Sequence, residues 1–414
     1  MMKIVSRTLL MAFALIFSLS IKAQESHIDF MSQPKWKKVL KMAQKQNKPI
    51  FVDAYTTWCG PCKIMDRDVF TDKEVAHFFN ENFISVKMDM EKGEGNQLKI
   101  DWDIKAFPTL LYFNPKGELV HTVVGAYEAD EFLEYSKMGI DENLMAVNLQ
   151  KRYDAGERGG AFMYSYLVSL RLGYLKELEA KVSTTYLETL PKDALLSLEN
   201  WKIVKYFMKD PSTKEFQYVV SNMEKLKKVV DAEEVETKIY KTIDDQILEW
   251  TYWYGNTPFE TEKESNVIAF LQQSNYDKAP ILLGKLLANK YKRLDDKDQY
   301  LSTLDYIVKF NLAQDSGTIV QYANNVMDGY NSDRAWAMAL QWLNIAEAKE
   351  ARVEHRVAVL EAKSKVLAKL GDKTEAELAA MAAKKADKEA EEAGTKIHSI
   401  PAFKMTGMTP KKAN

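Results

Sequence analysis

An α/β domain over residues 24–138 followed by an all-α region over 139–393 is the fold class that the sequence predicts. Three observations predict it. Between Trp36 and Lys137, segments with apolar residues at helical spacing alternate with short runs suited to strands, as in sheets covered by helices on both faces. Beyond about Gly139 the strand-like runs disappear, and helical spacing recurs between polar turns such as Lys209-Asp210-Pro211, Gly255-Asn256-Thr257-Pro258 and Leu294-Asp295-Asp296. The composition also suits packed structure in more than one domain: 414 residues, 46% hydrophobic and 11% aromatic, with 17 Gly and 11 Pro.

In the first region, Trp36, Val39, Leu40, Met42 and Ala43 share a helical face that Asn47-Lys48-Pro49 ends. Residues Ile50 to Tyr55 read as a buried strand, and the turn holding Cys59-Gly60-Pro61 launches a helix through Val69. A helix from Lys73 to Asn80 and an alternating strand from Phe83 to Met90 come next. The continuous apolar run Thr109 to Phe113 suits an inner strand; Pro115-Lys116-Gly117 turns the chain into a strand from Leu119 to Val124. A helix from Ala129 to Lys137 closes the domain.

In the helical half, setting Ala339 against Ala376 superimposes two stretches, with Ala346 on Ala383 and Tyr330 on Leu367. Ser364, Leu367, Leu370-Gly371-Asp372, Ala376 and Ala383 resemble the tetratricopeptide spacing of small and large residues. The offset differs from the tetratricopeptide period, Lys363 stands at a usually apolar position and Ala380 replaces an aromatic, so an unspecific helical bundle is the alternative. The aromatic cluster Trp250, Tyr252, Trp253 and Tyr254 fits helix packing better than a recognition surface.

The charge balance, 57 basic against 59 acidic side chains, argues against a domain that neutralises nucleic-acid phosphates. Residues 1–23 carry Lys3 and Arg7, an apolar run from Leu9 to Leu19 and a short segment ending at Ala23, the layout of a secretory signal peptide. The run is shorter than the roughly 20 residues that span a bilayer. Export to the periplasm or beyond, without stable membrane insertion, is therefore expected. Residues 394–414 read as a flexible tail.

Export gives the two cysteines their meaning. Both lie in one Cys-x-x-Cys, Cys59 and Cys62, which leaves no thiol for a structural staple. Cys59 precedes a predicted helix whose unpaired N–H groups and positive dipole end favour a thiolate, so it is the expected nucleophile. Cys62, one turn further in, can attack the mixed disulfide that Cys59 forms. Pro61 fits a first helical turn because its missing N–H has no partner to lose there. A zinc site needs about four ligands, and no further Cys or His lies at ligand spacing, so neither metal nor other cofactor is expected.

The segment Trp58-Cys59-Gly60-Pro61-Cys62-Lys63 resembles the active-site segment of the thioredoxin family. Val52-Asp53, Val86-Lys87, Phe107-Pro108-Thr109 and Val124-Gly125-Ala126 extend that resemblance in order through residues 50–136. Lys48-Pro49 through Phe70-Thr71-Asp72 also resembles the carboxyl-terminal domain of DsbD, a thiol:disulfide interchange protein. The resemblance implies a thioredoxin fold and a protein-disulfide reductase. It implies Asp53 as proton acceptor for Cys62, although a hydrogen-bonded aspartate at a strand end is the plainer alternative. It further implies a cis bond at Pro108 and a substrate groove bordered by Trp58, Gly60, Pro61, Phe107, Pro108 and Gly125, each of which could instead serve packing. Lys87 either influences the proton relay or faces solvent. Ala54 and Tyr55 depart from the usual phenylalanine and tryptophan. Protein disulfides are the implied substrates and an inner-membrane thiol:disulfide interchange protein the implied electron donor. A helical client-binding scaffold with a secondary redox domain is the other function class, since stacked helical repeats form concave binding surfaces.

Overall fold

A computed structural model describes residues 27–251, 261–310, 312–313, 315–349 and 353–392. The expected signal peptide and tail, and Tyr252, Trp253 and Tyr254 of the aromatic cluster, lie outside the described residues. The chain forms two compact units that divide between Met208 and Lys209.

The first unit is built on a five-stranded sheet: β1 (Met31–Ser32), β2 (Ile50–Tyr55), β3 (Ile84–Asp89), β4 (Thr109–Phe113) and β5 (Leu119–Val124), in spatial order β1-β3-β2-β4-β5. The β1–β3 and β3–β2 pairs are parallel, and the β2–β4 and β4–β5 pairs antiparallel. Alternation along the strands gives two apolar faces. On one, Val52, Ala54, Val86, Met88, Leu111 and Phe113 pack with Val39 and Ala43 of α1 (Trp36–Gln46) and with Leu98. On the other, the Phe51 ring meets Phe79, Tyr112 and Phe132 at centroid distances of 4.4, 5.2 and 6.1 Å.

Helix boundaries obey local chemistry. Asn47 takes the left-handed conformation (φ 49°) that ends α1. The chain after Cys59 forms α2 (Gly60–Ile64), then widens into a π-turn over Met65–Val69, with the Phe70 N–H donating to Met65 O at 2.8 Å. The expected continuous helix thus contains a bulge. Asp72 caps α3 (Lys73–Asn82) by accepting from the N–H groups of Glu74 and Val75.

Two elements escape the sequence reading. One is the short strand β1; the other is α4 (Gly95–Asp101), too short to show a helical period. Gly95 is dictated by space: a Cβ there would lie 2.0 Å from the Asp89 carbonyl oxygen. The domain's last helix is α5 (Ala129–Lys137), where expected.

The unit continues past residue 138. Helices α6 (Ala146–Asp154) and α7 (Gly160–Leu172) pack on the edge strand β5, and α8 (Lys176–Thr189) and α9 (Leu198–Phe207) pack on α7. An edge strand covered by helices is protected from pairing with another chain. The change of composition near residue 139 and the limit of the compact unit at Met208 therefore do not coincide.

The second unit is helical throughout its described residues. From Ala279 to Glu392, the helices Ala279–Arg293, Lys297–Lys309, Ser316–Gly329, Asp333–Lys349, Val353–Lys369 and Lys373–Glu392 pack largely on their sequence neighbours. Ala339 and Ala346, and Ala376 and Ala383, are buried on two of them. Gly371 at φ +84° makes the last turn, and Asp372 caps the final helix by accepting from Glu375 N–H at 3.1 Å. The Lys363 ammonium pairs with Glu347 on the preceding helix. Trp250 is buried, and no described helix is long and apolar enough to cross a membrane.

Candidate active site

Cys59 and Cys62 sit at the C-terminal end of β2, where the chain turns into α2. They are joined by a disulfide. Cys59 is the N-cap of α2, and its Sγ accepts the backbone N–H of Cys62 at 3.1 Å. The sulfur thus lies at the end of the helix where N–H groups are unpaired, and where negative charge is favoured. Pro61 occupies the first turn, and a side chain at Gly60 would meet nothing within 4 Å.

Asp53, two residues before the end of β2, is 1% exposed. Burial pushes its carboxyl up to about 7, against the lowering effect of the Lys87 cation, which is the second influence. Register places Asp53 between Lys87 on β3 and Leu110 on β4. Lys87 Nζ stands 3.5 Å from Asp53 Oδ2, and no oxygen of Asp53 has a hydrogen-bond partner of good geometry. Lys87 is therefore not a solvent-facing lysine. Its ammonium also pairs with Asp66 on the π-turn and lies over the rings of Tyr55, Phe30 and Phe70 at 5.1, 5.6 and 5.7 Å. Asp66 is a member that sequence reading misses. Its approach to Lys87 depends on the bulge at Met65–Val69, which leaves no period in the sequence.

The remaining residues come together in pairs. Trp58 is 65% exposed; its Nε1–H donates to Glu91 Oε2 at 3.0 Å and its ring stands edge-on to Phe107 at 6.1 Å. The Phe107-Pro108 bond is cis. Gly125, at φ +111°, donates its N–H to the Pro108 carbonyl at 2.9 Å, and that φ strains any side-chain-bearing residue. Two residues on, the Tyr127 N–H donates to Met65 Sδ at 3.4 Å, linking the loop after β5 to the helix after the cysteines. Glu91, like Asp66, is absent from the residues that the motifs point to.

A family model described as thioredoxin-like matches residues 31–115. The chain carries a thioredoxin-like domain. It is 31% identical over 98 residues to the thiol:disulfide interchange protein DsbD of Actinobacillus pleuropneumoniae, a match covering 23% of this chain and 17% of that protein. It is 36% identical over 93 residues to the chloroplastic thioredoxin Y2 of Arabidopsis thaliana, covering 22% of this chain and 52% of the relative. These matches thus span well under two thirds of either relative. Among solved structures, a putative disulphide-isomerase from Bacteroides thetaiotaomicron is 45% identical, with 29% of this chain and 98% of that one covered and a TM-score of 0.27. The thioredoxin-like sheet and the helical region after it are the architecture expected from the sequence.

Proposed function

We propose that the protein is an exported thiol:disulfide oxidoreductase, working as a reductant on protein disulfides in the periplasm or outside the cell. The observation that carries this reading is the Cys59–Cys62 pair at a helix N-terminus on a sheet that also buries Asp53. In the dithiol form, the Cys59 thiolate attacks one sulfur of a client disulfide, forms a mixed disulfide and releases the other client sulfur as a thiolate. Cys62, losing its proton to Asp53, attacks Cys59 Sγ; the second client thiol leaves and the protein is oxidised to the disulfide. Two electrons pass to the client, so a donor dithiol must restore Cys59 and Cys62. An inner-membrane thiol:disulfide interchange protein fits that need, in keeping with the likeness to DsbD. Trp58, Gly60, Pro61, Phe107, Pro108 and Gly125 border the groove for the client chain in this reading.

Cys59→Ser should abolish insulin reduction, and Cys62→Ala should accumulate mixed disulfides with clients. Undiminished reduction by Cys59→Ser would remove the assigned nucleophile. A glutathione titration should give a potential nearer thioredoxin's, about −270 mV, than DsbA's, about −120 mV. A value at the oxidising end would reverse the direction.

The helical region supports a second reading, a tetratricopeptide-like scaffold that selects clients. Its successive helices from Ala279 onward pack on sequence neighbours, as stacked hairpins do. Full-length protein with both cysteines replaced should then still capture clients; loss of all capture would leave the redox domain as the client-binding part.

A further inference from the structure

A cavity of about 640 Å³ lies within the first unit, between β4, β5 and the helices α6 and α7. This volume falls within the roughly 300–1,000 Å³ of small-molecule sites. We propose that it binds a small amphipathic anion, an acyl chain ending in a carboxylate. This site is separate from the redox reaction proposed above and does not depend on it.

The walls decide the body of the ligand. Leu111, Val120 and Val124 from the sheet face Ala146, Val147 and Leu170 from the helices. Tyr166, Thr109 and Ser169 in the lining are already satisfied within the protein. Tyr166 Oη donates to Gln150 Oε1 at 2.7 Å, Thr109 Oγ1 to the Ala106 carbonyl at 2.8 Å, and Ser169 Oγ to the Tyr166 carbonyl at 2.7 Å. Against these three side chains a polar body would lose its water without gaining partners, whereas an alkyl chain loses nothing. A peptide added as a strand has no place, because α6 and α7 pack on β5.

The charges decide its end. Asp103, Lys105 and Lys151 line the cavity; Asp103 pairs with Lys105, and Lys151 is exposed without a partner among the described residues. His121 also lines the cavity, with neither ring nitrogen in a hydrogen bond of good geometry, but burial lowers it to about 4 and leaves it without charge. One unpaired ammonium therefore remains for an anionic head. Leu119, Tyr174 and Leu175 line the same cavity yet stay exposed, extending its apolar surface toward solvent.

Titration calorimetry of the full-length protein with dodecanoate, below its micelle concentration, should show saturable binding of one molecule per chain. Val147→Trp should fill the cavity and weaken binding about tenfold or more. Lys151→Glu, an exposed substitution that leaves the fold alone, should weaken dodecanoate about threefold and leave the neutral detergent dodecyl maltoside unaffected. Absence of saturable dodecanoate binding would overturn the site. So would affinity unchanged in a folded Val147→Trp variant. Equal affinity for dodecanoate and dodecyl maltoside, or indifference to Lys151→Glu, would overturn the anionic head.

Discussion

Asp53 shows how one buried carboxyl links stability to chemistry. Burial outweighs the Lys87 ammonium 3.5 Å away, which Asp66 shares, and raises the carboxyl from 3.8 to about 7. The folded protein therefore binds this proton more tightly than the unfolded chain. The stability it contributes is complete below pH 3.8 and is lost as pH rises through 7. Asp53→Asn removes that loss. Urea unfolding of the disulfide form should give matching stabilities for parent and variant near pH 4, and a more stable variant at pH 8 by on the order of 4 kcal/mol. Equal stability at pH 8 would contradict the burial argument. In the proposed reaction the same variant should slow release of the client from Cys59, because Cys62 loses its proton acceptor.

At the scale of elements, two glycines make opposite demands. Gly60, at the start of α2, faces open space, whereas a Cβ on Gly95 at the start of α4 would press into the Asp89 carbonyl. Gly60→Ala should leave the melting temperature nearly unchanged. Gly95→Ala should destabilise by about 2 kcal/mol or more, since backbone rather than a flexible side chain must move. A thermal melt of the two variants checks this, and equal melting temperatures would refute the close approach. The π-turn after α2 matters at the same scale, since it carries Asp66 to Lys87 and Met65 to Tyr127. The helix periodicity from Cys62 to Val69 is compatible with a regular helix, so neither contact could be read from spacing.

At the scale of the molecule, the helices after residue 138 bear on the sheet's stability. Helices α6 and α7 cover β5, and a fragment ending at residue 138 would expose Val120, Val124 and Leu111 on that side. A fragment of residues 27–208 should unfold in one cooperative transition at a higher temperature than one of 27–138, and should bind less of a hydrophobic dye. Equal melting temperatures would mean that α6 and α7 add nothing to the thioredoxin-like domain. In the second unit, buried Trp342, whose Nε1–H donates to Asp305 Oδ1 at 2.9 Å, and the ion pair of Arg293 with Glu264 at 2.7 Å tie neighbouring helices through contacts remote in sequence.

The amino-acid order alone specified the thioredoxin-like succession of strands and helices, the cysteine pair at a helix start and the helical character of the chain beyond residue 139. These are local properties: alternation, helical period, capping and turn chemistry, and a motif within six residues. Packing in three dimensions was needed to bring Asp66 and Glu91 to the site, to draw Lys87 between two carboxylates, and to form α4 at all. It was needed equally for α6 and α7 to close over β5 and leave a cavity. Each of these depends on residues distant in the chain or on a turn too short to carry a period, and such distances are set only when the faces of the sheet are packed.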